Sequence, residues 1–332
     1  MQMGTTWDEV VEPDAELEDI CEETIKIFKR SVKASGRFPD LTELGPLEVI
    51  EKLNLLKNGQ FKRAAIILFG KNPQKFYPQS YLKIGRFGEK DHDLLHQDII
   101  EGNLIDILNT SLEVLEKKYL KMNIRIEGIH RIETLEYPRE ALREMILNAL
   151  VHRNYFGAFT QLRVHDEKLS IWNYGGLPDD LTIEKLKTNH RSVPRNPLIA
   201  SACFKAGYID TWGRGTIKII DLAKESGLKE AELFEDFGGF EVTLHKKLAT
   251  PLATPQVEQL LSKILGEMKR NELMEALGIK DREYFRSDFL KAAINEGYIE
   301  MTDPTKPNSP NQKYRLSDKG RKYLEEKGKY SD

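Results

Sequence analysis

Cysteine is scarce in this chain, and long hydrophobic runs are missing. The 332 residues include only two cysteines, Cys21 and Cys203, which lie far apart in the sequence. A disulfide scaffold needs more cysteines, so this usage favours a reducing, cytoplasmic setting. The longest purely apolar run, residues 64–69, is far shorter than the roughly 20 residues that cross a membrane. We therefore expect a cytoplasmic protein with no membrane partner.

An excess of charge of one sign is also missing. The 50 Lys and Arg residues nearly balance the 53 Asp and Glu residues, and the net charge is −3. Contact with DNA would therefore have to come from a local basic patch. The sequence also has no G-x-x-x-x-G-K-[ST] phosphate loop, because Gly70-Lys71 lacks an upstream glycine and is followed by Asn72. A helicase motor needs that loop, so the chain is not a helicase motor on its own.

Length and pattern predict three folded regions and a linker. The expected regions are an N-terminal α/β region at 1–125, a second α/β domain at 126–247, a Thr-Pro-rich linker at 248–256 and a C-terminal domain at 257–330. Apolar spacing in the first region predicts helices over 14–32, 47–56 and 98–120 and strands over 64–69 and 81–87. Residues 1–13 are acidic and aperiodic, which predicts a poorly ordered arm.

The stretch from Tyr137 to Tyr155 predicts a helix with two distinct faces. Leucine, methionine, isoleucine and alanine recur at helical spacing, so one face is suited to burial. A second stripe carries Glu140, Glu144, Asn148 and His152, each four residues after the last, so these side chains stack along one face. On the helix alone, a solvated face that happens to align is an equally good interpretation.

Two glycine pairs follow this helix. Residues 169–178, LSIWNYGGLP, predict a strand that runs into a glycine turn. Residues 212–220, WGRGTIKII, place two glycines directly before a helical pattern. Glycine permits tight turns and close backbone approach, and the N–H groups at a helix start attract phosphate. Each pair is weak evidence alone, because turns need glycine anyway, but the order of the three stretches is informative.

This order resembles the GHKL (Bergerat-type) ATP-binding fold of gyrase, Hsp90 and histidine kinases. It resembles more closely the bacterial and archaeal transcriptional regulators with a GHKL-like domain that are often labelled RecG-related ATP-dependent DNA helicases. The residues that carry the resemblance are ALREMILNALVHRNY (141–155), IWNYGGLP (171–178), RNPLIA (195–200), AGYIDTWGRGTIKII (206–220) and, upstream, RAAIILFGKNPQKFYPQ (63–79).

The resemblance implies a nucleotide site with ATP and Mg²⁺ as cofactors. Glu144 would be the general base that polarises the attacking water, and Asn148 would coordinate Mg²⁺. The adenine side would be formed by Asn173, Gly175 and Gly176, and the phosphate side by Gly213, Arg214, Gly215 and Thr216. The family's adenine-reading Asp appears here as Asn173, and few residues remain for a glycine-rich lid. A vestigial site is therefore the alternative.

The resemblance also implies a fold class. This is an α/β fold of the GHKL-like α+β sandwich type over 126–247, followed by a C-terminal winged helix-turn-helix domain. An AlbA/Schlafen-type domain normally precedes such residues in the family. Nothing here matches it, so we expect a fragment or a natural variant that starts after that domain.

The C-terminal residues predict a winged helix from their own pattern. Helices over 257–265, 270–277 and 281–295 are followed by strands over 298–302 and 313–316. The candidate DNA contacts are Lys280, Arg282 and Arg286 on the third helix and Lys306, Lys313 and Arg315 around the wing. Residues 251–332 carry 15 Lys and Arg against 14 Asp and Glu, so a winged helix used for protein contacts is the alternative.

Three functional hypotheses follow. The first is a transcriptional regulator that binds double-stranded DNA, as a homodimer expected from two-fold operator symmetry. The second is a slow ATPase whose hydrolysis acts as a switch on the winged helix. The third is an interaction scaffold with neither activity.

Overall fold

The chain folds into two units, Met1–Lys247 and Leu248–Asp332. The computed structural model describes residues 5–326 apart from 89, 91, 128–129, 189, 211–212, 247–253, 305, 308 and 310, and it describes only the backbone of 123–132 and 325–326. Most of the predicted linker, 248–256, therefore lies outside the described residues.

The first unit mixes helices with short strands. Its helices are α1 Glu22–Ser35, α2 Pro46–Lys52, α3 Arg63–Phe69, α4 Leu104–Val114, α5 Arg139–Val151, α6 Ile183–Leu186, α7 Pro197–Lys205 and α8 Gly215–Glu225. Its strands are β1 Leu56–Lys57, β2 Gln60–Phe61, β3 Leu82–Phe87, β4 Leu94–Ile100, β5 Met122–Glu127, β6 His130–Leu135, β7 Thr160–Val164, β8 Lys168–Tyr174, β9 Glu232–Asp236 and β10 Gly239–His245.

Six of these strands form one sheet in the order β4-β3-β7-β8-β10-β9. Neighbours in the sheet are antiparallel except β3 and β7, which are parallel. The predicted boundary at residue 125 falls inside this sheet, because β3 and β4 precede it and the other four strands follow it. Helix α5 packs with the same apolar core, through the buried side chains of Leu142, Met145 and Ile146.

Two predictions for the N-terminal half were wrong. Residues 64–69 form helix α3 rather than a strand, and all six side chains are buried. A helix that is apolar all round reads like a buried strand, because no polar face reveals its period. The long helix predicted over 98–120 is strand β4 followed by α4. The break comes at Gly102, with φ of 112°, and at Asn103, whose Oδ1 caps α4 by accepting from Asp106 N at 3.1 Å.

The predicted poorly ordered arm is packed from residue 5 onward, while residues 1–4 lie outside the described part. Trp7 stacks on Tyr155, with ring centroids 4.7 Å apart. The buried Asp8 carboxylate accepts hydrogen bonds from Leu198 N at 2.8 Å and Ile199 N at 3.1 Å. Asp8 therefore supplies the side-chain cap at the start of α7, and its burial raises the pKa of that carboxyl group.

Asp8, and not the adjacent Asn196, therefore caps α7 with its side chain. Asn196 does stand directly before α7, with Pro197 in the first turn, but its side chain makes no capping bond. Its Nδ2 donates instead to the carbonyl oxygens of Val151 at 2.8 Å and Arg153 at 2.9 Å. Asn196 thus ties the start of α7 to the end of α5.

The second unit alternates short helices and strands. Its helices are α9 Pro255–Leu261, α10 Arg270–Leu277, α11 Arg282–Tyr284, which continues through a π turn over Phe285–Lys291 into α12 Ala292–Asn295, and α13 Asp318–Glu326. Its strands, β11 Met268–Lys269, β12 Ile299–Met301 and β13 Lys313–Leu316, form an antiparallel sheet in the order β11-β13-β12. Phe285, Tyr298 and Tyr314 are among the large side chains of its separate core.

In the part of the chain that the structure describes, no helix has the length and apolar composition that crossing a bilayer would require.

Candidate functional site

A cleft in the first unit collects most of the residues predicted for the nucleotide site. It contains about 1040 Å³ of empty space, part of it open to solvent. Of the nine predicted residues, eight line it: Glu144, Asn148, Asn173, Gly175, Gly176, Gly213, Gly215 and Thr216. They come from α5, from β8 and its glycine turn, and from the start of α8. Apolar side chains such as Ile171, Phe240 and Val242 complete the wall.

The polar stripe of α5 faces this cleft through a carboxylate and an amide. Asn148 Nδ2 donates to Glu144 Oε1 at 3.3 Å. Glu144 is only 7% exposed, and this burial raises the pKa of its carboxyl group, although the nearby charges of Lys218 and Arg143 lower it. A carboxylate with a raised pKa is a stronger proton acceptor than an ordinary exposed carboxylate.

Gly215, the first residue of α8, lies directly against this pair. A Cβ atom at Gly215 would be 2.5 Å from Glu144 Oε1 and 2.9 Å from Asn148 Nδ2. Only glycine permits this approach without a shift of the polar pair. The beginning of α8 is thereby held beside the carboxylate and the amide, and the N–H groups of a helix start favour negative charge.

The two glycine turns also need glycine for their backbone. Gly175 has φ of 106° and Gly213 has φ of 65°. A Cβ atom at Gly213 would lie 2.0 Å from the His190 carbonyl oxygen, so the segment before α7 touches the segment before α8. The positive φ of its glycine thus fixes the backbone conformation of each turn, and each turn forms part of the cleft wall.

Asn173 occupies the position where the resembling family has an aspartate. It lies on β8 opposite Phe240 of β10 and is 5% exposed. Its Nδ2 donates a long hydrogen bond of 3.4 Å to the Tyr174 carbonyl oxygen. The amide is uncharged and can both donate and accept hydrogen bonds, so this side chain can form hydrogen bonds with a ligand in the cleft.

Arg195 was missed as a site residue, although it belongs to the RNPLIA segment that carried the resemblance. Its Nη2 donates to the Gly176 carbonyl oxygen at 2.6 Å, and its Nε donates to the His152 carbonyl oxygen at 3.2 Å. These bonds join the glycine turn to the end of α5. Burial and the Arg195 charge lower the pKa of His152 to about 4, so its imidazole is neutral at physiological pH.

A second carboxylate in the cleft wall, Asp210, was also missed. Arg37, just after α1, donates from Nη2 to Asp210 Oδ1 at 2.7 Å and from Nη1 to the Ile209 carbonyl oxygen at 2.7 Å. Its guanidinium also stacks on the Phe204 ring, 4.5 Å from the centroid. No sequence motif signals this contact, because the partners are more than 170 residues apart.

Arg214 is the predicted residue that the cleft leaves out. It stands directly before α8, its carbonyl oxygen accepts from Lys218 N at 2.8 Å, and its side chain is exposed. Its two glycine neighbours face the cleft, as the Gly-x-Gly spacing of a turn allows.

The six basic residues predicted to contact DNA all belong to the second unit, and they differ in whether a carboxylate pairs with them. Lys280, Arg282 and Lys306 are exposed, and none of them forms an ion pair with another described residue. The other three pair with carboxylates. Arg286 lies 3.9 Å from Glu283, Lys313 lies 3.8 Å from Glu267, and Arg315 lies 2.7 Å from Glu300 and 3.5 Å from Glu267.

Three family models match separate parts of the chain. Residues 157–244 match the model described as "Putative ATP-dependent DNA helicase recG C-terminal". Residues 255–317 match the C-terminal domain of a Fic-like protein (filamentation induced by cAMP), and residues 2–83 match a domain of unknown function. The recG-type match includes both glycine turns and Asn173, but it begins after Glu144 and Asn148. No curated protein matches the chain.

Solved structures resemble the fold. The DIP2311 protein of Corynebacterium diphtheriae has a TM-score of 0.61 at 20% identity, over 96% of this chain and 66% of that chain. This chain thus spans about two thirds of that protein, and the likeness concerns the fold alone. A Fic family protein of Desulfovibrio desulfuricans aligns over 90% of this chain and 87% of its own at 16% identity, with a TM-score of 0.22, too low to support a shared fold.

Proposed function

We propose that the chain is a transcriptional regulator of the GHKL-like type, in which the cleft binds ATP with Mg²⁺ and the second unit binds double-stranded DNA. One observation is the main support for nucleotide binding in the cleft. Eight of the nine residues that the resemblance assigns to a nucleotide site, all between positions 144 and 216 of the sequence, line one cleft. The recG-type match over 157–244 supports the same interpretation.

The cleft is chemically suited to a purine nucleotide. Ile171, Phe240 and Val242 give an apolar surface for a base, and the Asn173 amide can pair with a purine edge. The start of α8 and its glycines offer N–H groups to phosphate oxygens. We assign the base to the β8 end of the cleft and the phosphates to the α8 end.

The Glu144–Asn148 pair is suited to a hard cation. Mg²⁺ prefers oxygen ligands, and the Asn148 Oδ1 atom is such a ligand because the hydrogen bond to Glu144 uses the Nδ2 atom. When bound, Mg²⁺ would neutralise phosphate charge. Glu144 would remain free to hold a proton from a water molecule.

Equilibrium titration of a fluorescent ATP analogue with Mg²⁺ tests this assignment. We expect binding to the wild type and a loss of at least tenfold in affinity in Asn148→Ala, about 1.4 kcal/mol. Asn271→Ala, at an exposed position of α10, is the matched control and should bind like the wild type. Absence of binding to the wild type would refute the nucleotide part of the proposal.

The order of elements in the second unit supports a winged helix. It runs α9, β11, α10, then α11 through α12, then β12 and β13, with β13 central in the sheet. The third helical segment would then be the recognition helix. The match of residues 255–317 to the C-terminal domain of a Fic-like protein supports a separate module in this part of the chain.

DNA binding is expected to depend mainly on Lys280, Arg282 and Lys306, because the other three candidates already pair with carboxylates. The first two belong to the proposed recognition helix, so they are tested first. Mobility shifts of genomic DNA fragments at several salt concentrations test this. The double variant Lys280→Ala/Arg282→Ala should weaken binding and reduce the salt slope by about 2. Lys263→Ala, at an exposed lysine of the same unit, is the control. No shift at low salt would favour the scaffold hypothesis.

A slow ATPase is the second candidate, and the raised pKa of Glu144 favours it. A general base works best when its pKa approaches the working pH. We expect Glu144→Gln to retain nucleotide binding and to lose hydrolysis. Release of phosphate at the same rate by wild type and variant would exclude Glu144 as the base.

A further inference from the structure

Among the described residues, no strand pairs with the outer edge of strand β4 in the six-stranded sheet. Strand β4 lies at the end of the strand order, and β3 is its neighbour in the sheet. Leu94, Leu95 and Ile99 are 44%, 58% and 53% exposed. Proteins usually protect such edges with Lys, Pro, β-bulges or inward charges. Residues 94–100, LLHQDII, contain no Lys, Arg or Pro, and their protective features are a bulge at Leu95 and the Asp98 carboxylate, which pairs with Lys118.

The opposite edge of the same sheet is protected. Strand β9 carries Glu232, Glu235 and Asp236 among its five residues. Pairing of two copies along β9 would bring like charges together, which is destabilising. The β9 edge thus carries mainly negative charge, whereas the β4 edge exposes three apolar side chains beside the polar residues 96–98.

The sequence of β4 is complementary to itself when it is reversed. In an antiparallel pair centred on Gln97, Leu95 faces Ile99 of the partner subunit, His96 faces Asp98 of the partner subunit, and Gln97 faces its own copy. Apolar residues meet apolar residues, and an imidazole meets a carboxylate. We propose that β4 pairs with β4 of a second copy of this chain, so that two sheets join into one across a two-fold axis.

The local geometry favours this register. Asp98 is held by Lys118 at 2.6 Å and by the Tyr119 hydroxyl at 2.5 Å, and a carboxylate can accept further hydrogen bonds. The ring of the exposed His96 lies 5.0 Å from the Tyr119 ring. A bulge falls at Leu95, between the partners of Arg86 and Phe87. Regular pairing across the axis is therefore confined to residues 96–98, and Leu95 meets Ile99 of the partner subunit only at the irregular end of the strand.

The expected dimer is weak and depends on concentration. Pairing of one seven-residue strand buries much less than the roughly 1,600 Å² of a standard interface. The proposal supplies a surface for the homodimer expected of the regulator, but it rests on the sheet edge alone. Its failure would leave nucleotide binding in the cleft untouched.

Cross-linking across the axis tests the register. Gln97→Cys in a Cys21→Ser background puts two cysteines opposite each other, and the native Cys203 is buried. We expect rapid oxidation to a species of twice 38.2 kDa. Phe234→Cys on the β9 edge, in the same background, is the control because Phe234 is 51% exposed. Cross-linking of Gln97→Cys no faster than the control would overturn the proposal.

Light scattering over a concentration series gives an independent test. The wild type should approach twice the chain mass, Ile99→Lys should remain monomeric, and Phe234→Lys should behave like the wild type. Both substitutions are at exposed edge positions, so the thermal transition should show that each variant folds. A wild type that stays at 38.2 kDa throughout, or an Ile99→Lys variant that still dimerises, contradicts the proposal.

Discussion

The cleft of the first unit and the basic surface of the second unit present their candidate residues in opposite ways. In the cleft, the residues come from separated segments, and Glu144 and Asn173 are buried. In the second unit, the candidates follow one another on a helix and a hairpin and face solvent, and carboxylates pair with three of them. Buried polar groups that converge across a fold carry more functional information than exposed charges, since exposed charges are common on any soluble surface.

The largest effect is expected at Gly215. Gly215→Ala places a Cβ atom 2.5 Å from Glu144 Oε1, so either α8 or the polar pair must move. We expect loss of nucleotide binding and a destabilisation of about 1–3 kcal/mol by urea unfolding. Gly45→Ala is the control, because its Cβ would meet only the Glu48 carboxylate, at 3.3 Å. Unchanged affinity in Gly215→Ala would mean that the cleft is less tightly built than we describe.

A smaller effect is expected at Arg195. A lysine there can replace one of the two hydrogen bonds to the carbonyl oxygens of Gly176 and His152. We expect Arg195→Lys to lower the free energy of unfolding by about 0.5–1.5 kcal/mol, the net contribution of one hydrogen bond, and to weaken nucleotide binding. Arg191→Lys, at an exposed position nearby, should change neither quantity.

The pH dependence of stability tests the burial of Glu144. Its folded pKa is raised, so the charged carboxylate destabilises the native state at neutral pH, and this cost disappears as the pH falls through the folded pKa. Glu144→Gln should therefore be more stable than the wild type at pH 7. Below the ordinary pKa of a glutamate, about 4.3, the two should converge. A constant difference at all pH values would contradict the raised pKa.

The smallest effect is expected at Arg315. Its guanidinium pairs with Glu300 and Glu267, so it contributes little net positive charge to a DNA surface. Arg315→Ala should reduce DNA affinity much less than Lys280→Ala, and exposed pairs of this kind stabilise by only about 0–1 kcal/mol. If Arg315→Ala were the more damaging substitution, the wing would be the main contact instead of the helix.

Local patterns predicted much of the architecture correctly. Residues 215–225 form the helix expected after the Gly-x-Gly turn, and β8 is the strand expected to run into the glycine turn over 169–178. The failures lie where a pattern was ambiguous or a partner was remote. The apolar run at 64–69 gave no period to separate helix from strand, and Asp8 caps a helix about 190 residues away.

The residues of the candidate site also fall into those with a local sequence signal and those without one. Glycines and the Glu144–Asn148 spacing are local signals, so they could be found before the structure. Arg195 and Asp210 act through contacts with backbone carbonyls and a distant arginine, and such contacts depend on tertiary packing alone. Arg214 shows the reverse error, because its position between two site glycines did not bring its side chain into the cleft.

Hydrogen–deuterium exchange with and without Mg²⁺ and ATP shows whether the three walls of the cleft bind one nucleotide. We predict protection in three separate segments at once, namely residues 144–152, 173–177 and 213–219, because one ligand would contact all three walls of the cleft. The Asn148→Ala variant should lose all three together. Protection in only one segment, or elsewhere in the chain, would contradict the claim that these residues form a single nucleotide site.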